Sequence, residues 1–250
     1  DRSPSRGLGD VYKRQPPLQA CPDSLFDLAS SEPPTWWLVS DERVHDGSAN
    51  EQGDQQTDMA HTMWTHRRPL HTLIMSVNEL FALDKRVSEF RDLQNLDVQS
   101  NQLTSLPSSF SQLQHLTSLN LARNALSRVP SCILALTSLV SLDLSDNMLD
   151  TLWSQADAEK AGIAASDVLR SLATLNLAYN CLSTSALVPM PASLKRLQLS
   201  HNLLREPLPI DICGSAVHLE ELVLSGNDLP DAVFAHDGTS YAFPHLHVLD

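Results

Sequence analysis

Leu116-Thr-Ser-Leu119-Asn-Leu121-Ala-Arg-Asn124-Ala-Leu126 is the stretch whose reading decides how this chain folds. It has a copy on either side: Leu93-Gln-Asn-Leu96-Asp-Val98-Gln-Ser-Asn101-Gln-Leu103 before it and Leu139-Val-Ser-Leu142-Asp-Leu144-Ser-Asp-Asn147-Met-Leu149 after it. One eleven-residue pattern therefore recurs at a strict period of 23. A fixed period of about 20–29 residues marks a solenoid of stacked coils, in which each unit buries its apolar face on its neighbours, rather than a globule around one centre.

Working outward, the same pattern opens at Leu70 and returns, less regularly, at Leu172, Leu194 and Leu219. Leu246-His-Val-Leu249-Asp250 begins an eighth copy. The spacings run 23, 23, 23, 33, 22, 25 and 27. Within each copy the fourth and sixth residues, such as Leu96 and Val98, are two apart and share one face of a strand. Stacking these faces gives a parallel sheet with one strand per coil. The ninth residue is asparagine in all seven complete copies: Asn78, Asn101, Asn124, Asn147, Asn180, Asn202 and Asn227. Where the chain turns inward after the strand, an amide supplies both donors and an acceptor to backbone groups that lose water. These asparagines are expected to form a buried structural ladder, not a catalytic set.

The pattern resembles the leucine-rich repeat family over all of the chain from Leu70 on. Leu106-Pro107-Ser-Ser-Phe110-Ser-Gln-Leu113 and Val129-Pro130-Ser-Cys-Ile133-Leu-Ala-Leu136 are similar to the turns of its intracellular Ras-group subtype, a likeness that the later copies do not keep. The resemblance implies an α/β horseshoe with a parallel concave β-sheet and a convex side of loops, 3-10 turns and one longer helix. That helix is expected over Ala156 to Leu169, inside the 33-residue spacing, after a capping-box start at Ser154-Gln-Ala-Asp157.

Residues 16–69 read differently. They are rich in Pro, Asp, Glu, Gln, Ser and Thr, and Val44 to Thr62 holds almost nothing apolar. Such a segment cannot offset the entropy of ordering, so a mostly disordered lead-in is expected. Its apolar pieces, Leu25-Phe26-Asp-Leu28 and Trp36-Trp37-Leu38-Val39, are candidates to cap the first coil. Ser5-Arg-Gly-Leu-Gly-Asp-Val-Tyr-Lys-Arg-Gln15 resembles an in-frame translation of a transposase sequencing adaptor. Residues 1–15 are accordingly read as an artefact, with the native amino terminus elsewhere. Trp36 to Glu51, with Asp41-Glu42-Arg43, resembles the substrate-site segment of 6-phosphogluconolactonases, but is too short to make that enzyme and is read as coincidence or chimeric assembly. His61, His66 and His71, spaced by five, lack the i, i+4 spacing of helical metal ligands and are read as solvated.

Bulk properties narrow the function. A net charge of −13 argues against a nucleic-acid backbone or an anionic membrane surface as partner. No apolar run reaches the ~18 residues of a membrane span. Cys21, Cys132, Cys181 and Cys213 form no close pair, and no Asn-x-Ser/Thr site occurs, which points to a reducing, cytoplasmic setting. No Gly-rich phosphate loop, nucleophile elbow or His-Glu-x-x-His is present, and no catalytic residue, cofactor or metal is expected.

The expected function is protein recognition by a scaffold that binds through its concave surface. The alternative is the recognition segment of a larger receptor or regulatory enzyme. The outward residues fall in rows. Candidate partner contacts are Asp97, Asn120 and Asp143 in one row, Arg123, Asp146, Tyr179 and His201 in the flanking row, and Arg196 beside them. Arginine and aromatic side chains are the usual interface anchors. Three aspartates give the face an acidic centre, so a protein partner with a basic patch is expected.

Overall fold

A computed structural model describes residues 17–26, 69–160, 168–187, 190–208, 218–233 and 248–249. Eight short parallel strands form one sheet in chain order: β1 (Thr72–Ile74), β2 (Asn95–Asp97), β3 (Ser118–Asn120), β4 (Ser141–Asp143), β5 (Thr174–Asn176), β6 (Arg196–Gln198), β7 (Glu221–Val223) and β8 (Val248–Leu249). Register follows the sequence pattern without a slip. Leu73, Leu96, Leu119, Leu142, Leu175, Leu197, Leu222 and Leu249 lie side by side across the sheet. A one-residue shift would turn every one of these leucines outward, which is why the pattern tolerates only this alignment.

The core is a continuous column behind the sheet. In the coil that contains β2, Leu93, Leu96, Val98, Leu103, Phe110 and Leu113 are all buried, and each neighbouring coil repeats the arrangement. Burial of each such side chain is worth about 1.5–3 kcal/mol, and no single coil could collect it alone. The chain returns along the convex side in tight turns: 3-10 helices at Lys85–Glu89 and Ser108–Gln112 and a four-residue α-helix at Ser131–Leu134. In the latter two, proline stands just before the helix, where its fixed φ suits entry and its missing N–H costs nothing.

After β4 the 33-residue spacing holds the helix Gln155–Lys160. The capping box is formed reciprocally. The Asp157 amide donates to Ser154 Oγ at 3.2 Å, and the Ser154 amide donates to Asp157 Oδ2 at 2.9 Å. Residues 161–167, including Ile163, lie outside the described residues; Val168 and Leu169 are buried.

Of the lead-in, residues 17–26 are described, and they pack on the first coil. Phe26 is buried and stacks on Phe90 with ring centroids 6.2 Å apart, while Arg86 lies over the Phe26 ring and pairs with Asp23 at 2.7 Å. Trp36 to Val39, the Asp41-Glu42-Arg43 segment, His61 and His66 lie outside the described residues.

Candidate functional site

The concave face is built by a turn that repeats at the end of every strand. The residue before each ladder asparagine adopts a left-handed backbone: Val77, Ser100, Arg123, Asp146, Tyr179 and His201 all have φ between 53° and 57°, and Gly226 has φ 73°. For residues other than glycine this conformation costs about 1–2 kcal/mol. What holds it is the asparagine that follows. Asn101 Nδ2 donates to the Val98 carbonyl of its own coil at 2.9 Å and to the Met75 carbonyl of the coil before at 3.0 Å, while Asn101 Oδ1 accepts from the Leu80 amide at 3.1 Å. Asn124, Asn147, Asn180, Asn202 and Asn227 make the same set, each binding its own coil and the preceding one. Asn78 bonds to the Met75 carbonyl and accepts from the Leu18 amide.

The turn presents three rows to the concave side. In the first, Asp97, Asn120, Asp143 and Asn176 each accept, through Oδ1, the amide of the residue two further on. Asp143 also accepts from Ser145 Oγ at 2.6 Å and, through Oδ2, from Asn176 Nδ2 at 3.2 Å. This row is half-buried and tied to its own backbone, so its carboxylates are more engaged than a list of outward residues suggests. The middle row is small and close to the sheet, with Ala122 and Ala178 buried.

The flanking row, which takes the left-handed turn, stands furthest out. Arg123 and Asp146 pair across adjacent coils at 3.4 Å, with side chains 70% and 61% exposed. Tyr179 and His201 stack face to face, 4.3 Å between centroids and 16° from parallel. Gly226 is what lets His201 lie there. A Cβ on Gly226 would come within 3 Å of the His201 ring atoms Nδ1, Cε1 and Cγ. Arg196 is set apart from this row and pairs with Glu221, its partner in the β6–β7 register, at 3.3 Å; Lys195 and Glu220 pair beside it at 3.1 Å. The structure thus joins the candidate residues into an ion pair, an aromatic stack and an Asp–Asn contact, and keeps Asp97 and Asn120 in their own turns.

Sequence reasoning foresaw neither the clearance that Gly226 gives His201 nor the left-handed turn. Seven residue types occupy that position, so composition carries no signal for it. Only the invariant asparagine next to it does.

Among the described residues, no group of three His, Cys, Asp or Glu side chains is placed to hold a metal ion. No helix among them is long and apolar enough to cross a membrane.

Comparison with known proteins agrees with this geometry. A family model described as leucine rich repeat matches residues 91–149, and a second of the same description matches residues 193–215. Both matched stretches of the chain are leucine-rich repeats. Its structure is similar to that of a leucine-rich repeat protein of Leptospira interrogans, at 24% identity and TM-score 0.55 over 91% of this chain and 59% of that one. It is also similar to a plant peptide hormone receptor solved in complex with its peptide, at 25% identity and TM-score 0.50 over 64% of this chain and 25% of the receptor. A Toll-like receptor solved in complex with single-stranded RNA matches at 25% identity and TM-score 0.53, over 69% of this chain and 25% of the receptor. This leucine-rich repeat chain therefore spans about three fifths of the first of these proteins and a quarter of the two receptors. Comparison with curated protein sequences finds no match. Leucine-rich repeat domains generally mediate protein or ligand recognition, and the fold is typically a non-enzymatic binding scaffold.

Proposed function

We propose that this leucine-rich repeat chain is a non-enzymatic, cytoplasmic interaction scaffold that recognises a partner protein through the concave face. The observation that carries the reading is the flanking row. Its side chains are held out from the sheet by a costly left-handed turn, and it sets the exposed Arg123–Asp146 pair beside the Tyr179–His201 stack. Exposed ion pairs are worth only about 0–1 kcal/mol, so a partner can displace them cheaply. A rigid aromatic pair offers contact area at low entropic cost. On the concave strands and turns, Asp97, Asp143, Asp146, Glu220 and Glu221 outnumber Arg123, Lys195 and Arg196. The partner is accordingly a protein with a basic patch rather than a nucleic acid or a membrane surface, and the scaffold serves in signal transduction.

The test compares capture of partner proteins by the chain with capture by a triple variant, Asp146→Ser, Tyr179→Ser and His201→Ser, and by a convex-side variant, Gln112→Ser. Partners lost with the concave variant, kept with the convex one and released as salt is raised support the proposal. Equal retention by all three, or capture insensitive to salt, overturns it.

A second reading is favoured by one observation, the quarter-length match to two receptors that hold a peptide and an RNA. On it, this chain is the ligand-recognition segment of a larger receptor or regulatory enzyme. The uninterrupted transcript distinguishes the two: a membrane span or catalytic domain in the same reading frame selects the second.

A further inference from the structure

Residues 17–26 do more than cover the first coil. The Leu18 amide donates to Asn78 Oδ1 at 2.9 Å. In every later coil the residue that makes this bond is the eleventh of the pattern: Leu80 to Asn101, Leu103 to Asn124, Leu126 to Asn147. The Leu18 carbonyl accepts from the Glu79 amide at 2.9 Å, as the Leu80 carbonyl accepts from Gln102 and the Leu103 carbonyl from Ala125. Seven residues on, the Leu25 amide donates to the Pro22 carbonyl at 3.0 Å, as Phe110 does to Pro107 and Ile133 to Pro130. The sequence then aligns without a gap. Leu18-x-x-Cys21-Pro22-x-x-Leu25-x-x-Leu28 matches Leu103-x-x-Leu106-Pro107-x-x-Phe110-x-x-Leu113 and Leu126-x-x-Val129-Pro130-x-x-Ile133-x-x-Leu136.

We propose that Leu18–Phe26 belongs to the second half of a further coil, and that the β1 edge of the sheet is the docking surface for the strand half of that coil. The occupant is an extended segment joined directly ahead of Pro17, with aliphatic residues at positions one, four and six of the repeat. Two observations independent of the hydrogen bonds mark the surface. Ile74 and Val77 on β1 and its turn are 65% and 73% exposed, and they occupy the positions held by Asp97 and Ser100 in the next coil. An apolar pair at the first strand, where the next three coils carry Asp97 and Ser100, Asn120 and Arg123, and Asp143 and Asp146, fits a neighbour that covers it. The amides of His71 and Thr72 also stand at positions two and three, where each of the next six coils donates two amides to one carbonyl of the coil before, as Gln94 and Asn95 do to His71. Pro17 falls at position ten, whose amide bonds to the coil before, so the opening coil of an array does not need that amide. Regular coils set the last leucine of the back three positions before the first leucine of the next copy, Leu113 to Leu116 for example, whereas Leu28 and Leu70 are 42 positions apart. The residues between are therefore an insertion within the repeat array rather than a leader ahead of it.

The test replaces residues 8–15 of the full chain, which align with positions one to eight, by the sequence of Leu116–Arg123. The control carries the same replacement with its three leucines changed to aspartate. The proposal expects the melting midpoint to rise by about 3 °C or more, and hydrogen exchange at the His71 and Thr72 amides to slow about tenfold or more, with neither effect in the control. Separately, Leu18→Asp and Leu25→Asp in the unaltered chain should each lower the midpoint and speed exchange across β1. An unchanged midpoint and unchanged His71 and Thr72 exchange in the strand replacement overturn the docking surface. Unchanged midpoints in both aspartate variants overturn the half-coil assignment.

Discussion

The coils between Leu93 and Leu149 and those between Leu172 and Leu229 share one front and differ in the back. In the first group the period is 23 and the convex turns follow proline; in the second the spacings are irregular and the turn signature is gone. Yet the front does not register the change. Asn124 reaches back 26 residues to the Val98 carbonyl at 3.1 Å, and Asn180 reaches back 36 residues to the Leu144 carbonyl at 3.0 Å. Ten extra residues leave the bonding of the front unchanged. What the difference teaches is that the sheet and its asparagine ladder carry the geometry, while the back needs only to deliver enough apolar side chains.

This makes the ladder the place to break the comparison. Asn124→Ala and Asn180→Ala each strand one amide acceptor's donor and two or more carbonyls, and each should cost about 1–3 kcal/mol in chemical denaturation. If the front is common to both halves the two costs agree. A cost at Asn180 near zero would mean that the irregular half is held from its back instead.

The next effect is confined to that back. Ser154→Ala removes the hydroxyl that accepts from the Asp157 amide and donates to its carboxylate, and should cost about 1 kcal/mol locally. Exchange should speed over Gln155–Lys160 while the amides of β4 and β5 stay protected. Loss of protection in the two strands would show the insertion to be a support of the sheet.

These expectations follow from how unevenly the fold was written in the chain. The strand half was legible because its signal is redundant: period-two burial, as at Leu96 and Val98, and an asparagine that no other residue replaces. The Ser154–Asp157 cap was legible because both partners lie within four residues. The half-coil at Leu18 was hidden by the 41 residues that lie between Leu28 and Leu70. The candidate site was legible as rows but not as contacts. Alternation says that Asp143, between the buried Leu142 and Leu144, faces outward. It cannot say that Asp143 is spent on Ser145 and Asn176, that Arg123 finds Asp146, or that Gly226 leaves room for His201. Those depend on the left-handed turn, a backbone state that Val77, Arg123 and Tyr179 all adopt against their own preference.

The smallest effect, and the finest test of the sealed back, comes from two thiols. Cys132 lies in the helix Ser131–Leu134 on the back of a regular coil, where burial pushes its thiol up to about 11. Cys181 lies just past Asn180 in the irregular half and is exposed. Since the thiolate is the reactive form, an alkylating reagent near pH 8 should modify Cys181 rapidly and Cys132 only as its coil opens. Peptide mapping of the labelled protein reads the two rates separately. Asn124→Ala should speed Cys132, because it loosens the coil that carries it, and leave Cys181 as it was. Equal rates in the unaltered chain would show that the back of the regular coil opens freely, and that the front alone holds the solenoid together.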